Sequence, residues 1–453
     1  MLNVINPATG QCIQQYPAVT PAQMQEKMAL AQQGYLAWRH CSMDERASLL
    51  KQVAAQLRAD KVRLGQLMTD EMGKPVKEAG AEVEKAAWCC DHYAEYAETY
   101  LQDDRVDSDA SLSYVHYQPL GPLLGVLPWN APLWIAFRFL APALMAGNSC
   151  VMKHDPHVPG CAAAIEQVFK AAGAPEGLVV NLPIETAQVG EAIRHKHIQA
   201  VSFTGSAKAG GIVAATAAAD IKHAVLELGG ADPFIVLADA DQDAAADVAV
   251  LSRIINAGQS CIAAKRILVE QPIYDEFVGK LKQRLQALKV GDPNDPATDI
   301  GPIARADLRA NLHRQVTESI AQGARCVLGG VLPDGDGFFY PVTLLTDAHV
   351  GMCGMEEEVF GPVMVVCPVR DADEALQVAN TSEYGLGAGV WTRDSAKALA
   401  LAEQLETGQV AINGIVKTDP RLPSGGIKKS GFGRELGEAG IKAFVNAKQI
   451  WIK

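Results

Sequence analysis

At 453 residues, 49% hydrophobic and 20% charged, with no low-complexity tract, the chain has roughly three domains' worth of length and a core that needs no disulfides. Its net charge of -12 argues against nucleic acid or an anionic membrane as main partner, because both are met by basic patches. The ten cysteines include no CxxC pair and no zinc-like grouping, and the N-terminal residues show no basic region ahead of an apolar one, so a reducing cytoplasm and no secretory leader are expected.

Residues 21–100 read as helical scaffold. Leu49, Leu50, Val53, Leu57 and Leu64 recur at helical spacing with charges between them, and Gly73-Lys74-Pro75 separates two long helices. Residues 101–119 turn polar and acidic, then strand-like at 112–117, which suggests a projecting hairpin. The apolar run 120–146 is broken by Pro122, Pro128, Pro132 and Pro142 and carries Asn130 and Arg138 near its middle. A buried strand, loop and helix fits it better than a membrane span.

From residue 123 strands and helices alternate. Strands are expected at 123–127, 150–153, 178–182, 200–204 and 224–228, and helices at 133–145, 161–172, 187–195 and 207–219. A second series has strands near 234–237, 266–269, 362–367, 387–391 and 410–413, with helices between them that include 273–288 and 395–405. This alternation is the signature of parallel sheets, so the predicted class is α/β, with two doubly wound domains joined near residue 229.

The chemistry-bearing stretches lie at the ends of these elements. Gly258-Gln259-Ser260-Cys261 is a loop between the helical run 241–255 and a strand at 265–270, and Cys261 is read as a nucleophile, against the alternative of an inert core thiol. Glu227 ends an apolar strand before Gly229-Gly230, and is read as a base or, equally, as half of a structural ion pair. Asn130 closes a strand, where its amide either donates to a developing oxyanion or caps the helix starting at Pro132. Gly205-Ser206 follows a strand and opens a helix, a place suited to a phosphate and equally to simple packing. Lys153 ends another strand, either facing ribose hydroxyls or a phosphate, or simply solvated. His154 and His157 flank Pro156 with no further ligand cluster, so no metal is expected.

Taken together, the chain resembles the NAD(P)-dependent aldehyde dehydrogenase superfamily over its whole length. The resemblance rests on Asn6-Pro7-Ala8-Thr9-Gly10, Leu127-Pro128-Trp129-Asn130, Phe203-Thr204-Gly205-Ser206, Glu227-Leu228-Gly229-Gly230 and Gly258-Gln259-Ser260-Cys261. It continues through Glu357-Glu358-Val359-Phe360-Gly361-Pro362, Asn380 with Tyr384-Gly385-Leu386, and Gly425-Gly426-Ile427-Lys428-Lys429-Ser430-Gly431. It implies a Rossmann-like cofactor domain over 1–100 and 120–228, a catalytic domain over 229–432, and a β oligomerisation arm from 101–119 with the C-terminal segment 433–453, giving a homodimer or homotetramer. Cys261 then matches the nucleophile, Glu227 the general base and Asn130 the oxyanion donor, joined by the Cys261 N–H. Lys153 and Glu358 match cofactor-ribose contacts, Ser206 at the Gly205 turn the phosphate contact, and Trp129 and Phe360 the cofactor pocket.

The implied reaction is oxidation of an aldehyde to a carboxylic acid through a cysteine thiohemiacetal and a thioester. The CoA-acylating branch of the family lacks the base, so Glu227 implies hydrolysis. Many NAD-preferring members carry a glutamate three residues after the cofactor lysine; here that residue is Pro156, so NAD is expected to serve with NADP tolerated.

Arg138 matches a carboxylate-binding arginine of succinate semialdehyde dehydrogenases, while the second arginine of some of them is Ile255 here. Arg253, the Thr418-Asp419-Pro420-Arg421 loop, Lys153-His154 and the run 232–237 look like a bacterial subgroup of those enzymes, which makes Arg421 a second substrate candidate. The alternative for Arg138 is a pairing with an acidic residue inside the fold. The expected substrate is therefore succinic semialdehyde. A broader ω-carboxy or aliphatic aldehyde dehydrogenase and an inactive binding scaffold are the competing readings.

Overall fold

The computed structural model describes all residues, Met1–Lys453. An N-terminal antiparallel hairpin, Leu2–Ile5 with Cys12–Tyr16, was not foreseen from the sequence. Four helices follow, Pro21–Trp38, Met43–Ala59, Lys61–Met72 and Val76–Tyr100. The first two open on reciprocal capping boxes, Thr20 with Gln23 and Ser42 with Glu45, which satisfy backbone N–H groups that the helix start leaves free. Gly73 takes a left-handed conformation and stops the third helix, and Pro75 starts the fourth, so the break falls at the predicted punctuation.

A six-stranded sheet forms next, in the order Gly431–Phe432, His223–Glu227, Ala200–Thr204, Pro122–Leu127, Ser149–His154 and Val179–Asn181. Only the first strand is antiparallel to its neighbour. The strands Pro122–Leu127, Ser149–His154 and Ala200–Thr204 are buried along their whole length. That is why they read as continuous apolar runs: a parallel sheet is covered on both faces. Separate apolar clusters cover those two faces, one around helices such as Pro132–Met145 and one around Pro21–Trp38 and Ala207–Ala219. Helix Pro132–Met145 is buried on every side, and no helix of the chain is long and apolar enough to cross a membrane.

The second sheet has seven strands, ordered Arg325–Leu328, Thr343–Thr346, Val363–Val369, Arg266–Glu270, Pro233–Val236, Gly387–Trp391 and Gln409–Ile412. It is parallel except at its first pair and has its own apolar core. A third, three-stranded antiparallel sheet stands apart. In it Leu112–Pro119 pairs on one side with Asp104–Arg105 and on the other with the C-terminal strand Val445–Ile452. The chain is thus mixed α/β with two large, mainly parallel sheets and a small β arm.

One feature of topology places the chemistry. Glu227, Ser206, Asn130 and Lys153 sit at or just beyond the carboxyl ends of four adjacent strands of the six-stranded sheet. Such an edge is where open parallel sheets bind ligands. Cys261 and Glu358, by contrast, precede strands of the seven-stranded sheet and so lie at its amino ends. The two edges meet, as shown by the Asn130 side-chain amide donating to the Gln259 carbonyl at 3.0 Å.

Candidate active site

The loop that carries Cys261, the candidate nucleophile, begins where helix Gln242–Ile254 ends, one residue earlier than predicted. Asn256, Ala257 and Gly258 all adopt positive φ, a conformation that costs energy for the first two and must be held by surroundings. Those surroundings are specific. The buried Arg253 guanidinium donates to the carbonyls of Gly258, Val359 and Gly361, tying the loop to the segment that carries Glu358 and Phe360. A Cβ on Gly258 would lie 2.2 Å from the Gly361 oxygen, so only glycine fits this closure. Asn256 donates its side-chain amide to the Asn130 carbonyl at 2.7 Å, and its N–H to the Glu78 carboxylate at 2.7 Å.

Lys265, fully buried, donates its ammonium to the carbonyls of Ser260 and Cys261 and lies 3.6 Å from the Glu358 carboxylate. It holds a positive charge beside Cys261. Burial pushes the Cys261 thiol up to about 11, while Lys265 and Arg138 pull it back down. The resting residue is therefore a thiol at neutral pH, and a base is needed to populate the thiolate.

Cys261 keeps part of its surface open to a cavity of about 370 Å³. Asn130, Ala131, Trp134, Ile135, Arg138, Lys85, Ser260, Ile262, Val416 and Thr418 are among its walls. Thiol and side-chain amide thus face one space. Asn130 uses one amide N–H on Gln259, which leaves the second for a ligand oxygen.

Glu227 is set back from this cavity, behind Arg138. Its Oε2 is 3.9 Å from the Arg138 Nη2, and its Oε1 has no hydrogen-bond partner. Arg138 makes a second ion pair with Glu435, and all three side chains are almost fully buried. Burial and the neighbouring Glu435 push the Glu227 carboxyl well above the usual carboxylate range, against the opposing pull of Arg138 and Arg434. A Cβ on Gly425 would lie 2.7 Å from Oε1, so glycine leaves that oxygen its room.

The cofactor candidates gather on the other side of the nucleophile loop. The Glu358 carboxylate accepts from the Gly230 N–H at 3.1 Å, and a Cβ on Gly229 would collide with it at 2.2 Å. Trp129 and Phe360 pack edge to face, with centroids 5.9 Å apart. Lys153 is buried at its strand end with no hydrogen bond or ion pair to another side chain. Ser206 caps helix Ala207–Ala219 through the Ala209 N–H, and Gly205 donates to the Glu227 carbonyl at 3.0 Å. A buried free ammonium, a cradled carboxylate and an aromatic pair fit the ribose and nicotinamide of a dinucleotide. His154 bonds the Pro132 carbonyl, and His157 bonds Asp155.

Two sequence expectations change here. Arg421 does not reach the cavity: its guanidinium is two-thirds exposed, pairs with Asp419 and lies 5.5 Å from the Trp88 ring centroid. The two-residue spacing from Asp419 makes that local pair easier to form than any contact inward. Arg138 does line the cavity, but its charge is met by Glu435 and Glu227, the ion-pair alternative. Glu435, Lys265 and Lys85 were missed. Glu435 and Lys85 lie in stretches that carry no motif and find their partners across the fold, whereas Lys265 binds carbonyls four and five residues away and reads from the sequence only as the start of a strand.

The model of the aldehyde dehydrogenase family matches residues 1–450. The chain is 48% identical to a probable succinate-semialdehyde dehydrogenase [NADP(+)] of Synechocystis, over 99% of each chain. It is 43% identical to the succinate semialdehyde dehydrogenase [NAD(P)+] Sad of Escherichia coli, over 99% of this chain and 97% of that one. Its fold superposes on the succinic semialdehyde dehydrogenase of Streptococcus pyogenes, solved with NADP+, with a TM-score of 0.97 at 36% identity and complete coverage of both chains. Matched from end to end in sequence and in structure, the chain belongs to the aldehyde dehydrogenase family.

Proposed function

We propose that this enzyme oxidises succinic semialdehyde to succinate with NADP or NAD, using Cys261 as nucleophile, Asn130 as oxyanion donor and Glu227 as base. The observation that carries the reading is the cavity onto which the Cys261 thiol and the Asn130 amide open, with Arg138 in its wall and Glu227 and Glu435 behind Arg138. Relatives named as succinate-semialdehyde dehydrogenases, alike over almost the full chain, support the substrate.

The residues supply the steps as follows. The thiol proton passes to Glu227 and from it to solvent, and the resulting thiolate adds to the aldehyde carbon while the carbonyl oxygen gains charge. The free Asn130 N–H and the Cys261 backbone N–H meet that oxyanion; one such donor is worth about 10² to 10³ in rate. When bound, the nicotinamide supplies the hydride acceptor that leaves a thioester on Cys261. Lys153 and Glu358 would hold its ribose hydroxyls, Ser206 its phosphate, and Trp129 with Phe360 the nicotinamide side. Glu227 then takes a proton from water attacking the thioester, and the acid leaves with the thiol restored. A carboxyl group raised by burial is suited to this work near neutral pH, since its proton affinity lies near the operating pH.

Cofactor choice follows from one position. Pro156 puts no carboxylate beside Lys153, and the neighbouring Asp155 is occupied by His157 and by Arg305 at 3.8 Å. Nothing there repels a 2′-phosphate, so both dinucleotides are accepted. Steady-state rates with succinic semialdehyde, butanal and both cofactors test the reading. The expected result is a kcat/KM for succinic semialdehyde about tenfold to a hundredfold above butanal, the worth of one charged hydrogen bond. Equal values would instead support the broader aliphatic enzyme.

A further inference from the structure

The charged side chains around the cavity fall into two groups. Most are already matched. Lys74 pairs with Glu82, whose other oxygen accepts the N–H groups of Leu133 and Trp134 at 3.0 Å each. Glu78 accepts from Asn256, and Arg138 faces Glu435 and Glu227. Two lining cations lack a carboxylate: Lys417, which is exposed, and Lys85, which is half-buried.

Lys85 is held in place by neutral groups only. Its Nζ lies 4.2 Å from the centroid of the Trp134 ring and donates to the Thr418 hydroxyl at 2.8 Å. The Trp134 indole N–H donates to the same hydroxyl at 3.0 Å, so ring, hydroxyl and ammonium form one rigid group in the cavity wall. Burial, with Arg138 adding to it, pulls the ammonium down to about 8, against the weaker opposing pull of Glu82 and Asp419, neither of which is in contact with it. A half-buried cation with no carboxylate in contact is costly unless something else completes the site.

We propose that Lys85 is the group that recognises the carboxylate end of an ω-carboxy aldehyde, while Arg138, its charge already met by two carboxylates, serves the catalytic end. This rests on the reading of the substrate given above. A carboxylate entering the cavity supplies the missing counter-charge to Lys85 at little ordering cost, because Trp134 and Thr418 have fixed the ammonium beforehand. An apolar aldehyde of the same length leaves Lys85 unmatched, which is a penalty against it and so a source of specificity.

The test compares wild type, Lys85→Met and Lys85→Arg on succinic semialdehyde and butanal, which differ by a carboxylate against a methyl group. The expected result is that Lys85→Met lowers the ratio of the two kcat/KM values about tenfold to a hundredfold, mainly through KM for the acid, and that Lys85→Arg restores most of it. An unchanged ratio, equal losses on both substrates, or an Arg variant that behaves as Met would overturn the assignment. Should the Met variant fail to fold, Lys85→Gln takes its place, and a surviving preference for the acid there also overturns it. A wild type that does not prefer succinic semialdehyde at all defeats the substrate reading itself, whereas a wild-type preference that outlasts the loss of Lys85 defeats only this inference.

Discussion

The two halves of the site solve the problem of buried charge differently. Around Cys261, on the seven-stranded side, buried cations bind main-chain carbonyls: Arg253 those of Gly258, Val359 and Gly361, Lys265 those of Ser260 and Cys261, and Arg266 those of Ala231, Val378 and Ala379. Around Glu227, on the six-stranded side, buried charges face one another: two carboxylates share one guanidinium, and the Glu227 Oε1 lacks a hydrogen-bond partner. The first arrangement fixes where a backbone goes. The second leaves proton affinity to be set by small changes among three groups. The proposed nucleophile, Cys261, needs the former and the proposed base, Glu227, the latter.

The sharpest way to break the comparison is to remove the thiol. Cys261→Ala is expected to bring reduced-cofactor formation to the detection limit while dinucleotide binding remains measurable by fluorescence titration; near-normal turnover would take Cys261 out of the chemistry. Asn130→Ala comes next, with an expected loss in kcat of about 10² to 10³. That variant also deletes the amide's bond to the Gln259 carbonyl, but this carbonyl still accepts from Asn256 at 3.1 Å and the Asn130 backbone carbonyl still anchors Asn256, so the loop should lose little thermal stability, which a melting curve checks.

Arg138→Met probes the charge-facing half. Arg138 holds the Glu227 carboxyl down against burial, so its loss moves the acidic limb of the kcat profile to higher pH, because Glu227 must be deprotonated to act. The loss should be similar for succinic semialdehyde and butanal. A profile that does not move would show that the limb belongs to another group. Smallest in chemistry, though not in stability, is Arg253→Met. It orphans carbonyls at about 1 to 3 kcal/mol each and should lower the denaturant midpoint. If the loop still holds its shape, the pH limb stays in place.

Much of this was legible in the residues. Strand and helix alternation gave both parallel sheets, since fully buried strands must be apolar throughout and helices must not. Cys261, Glu227 and Asn130 were candidates by their places at element ends, each with an equally good structural alternative, and the resemblance to the family gave them their roles. The positions of Glu435 and Lys85 were not legible. Glu435 meets Arg138 only through the return of the chain to the first sheet at Gly431–Phe432, a long-range pairing with no local signal. Lys85 lies on a helix whose other charges read as a solvated face, and only the packing of Trp134 and Thr418 turns it inward. Arg421 failed for the opposite reason: its motif was visible, but a nearby Asp419 captured it.

The central claim is that an acyl group passes through Cys261 and leaves by the action of Glu227. Glu227→Gln, mixed once with excess aldehyde and oxidised dinucleotide and quenched in acid, should carry the mass of one acyl group on the peptide containing Cys261, with one equivalent of reduced cofactor formed. A burst of reduced cofactor with no adduct, or an adduct on a different residue, would contradict it.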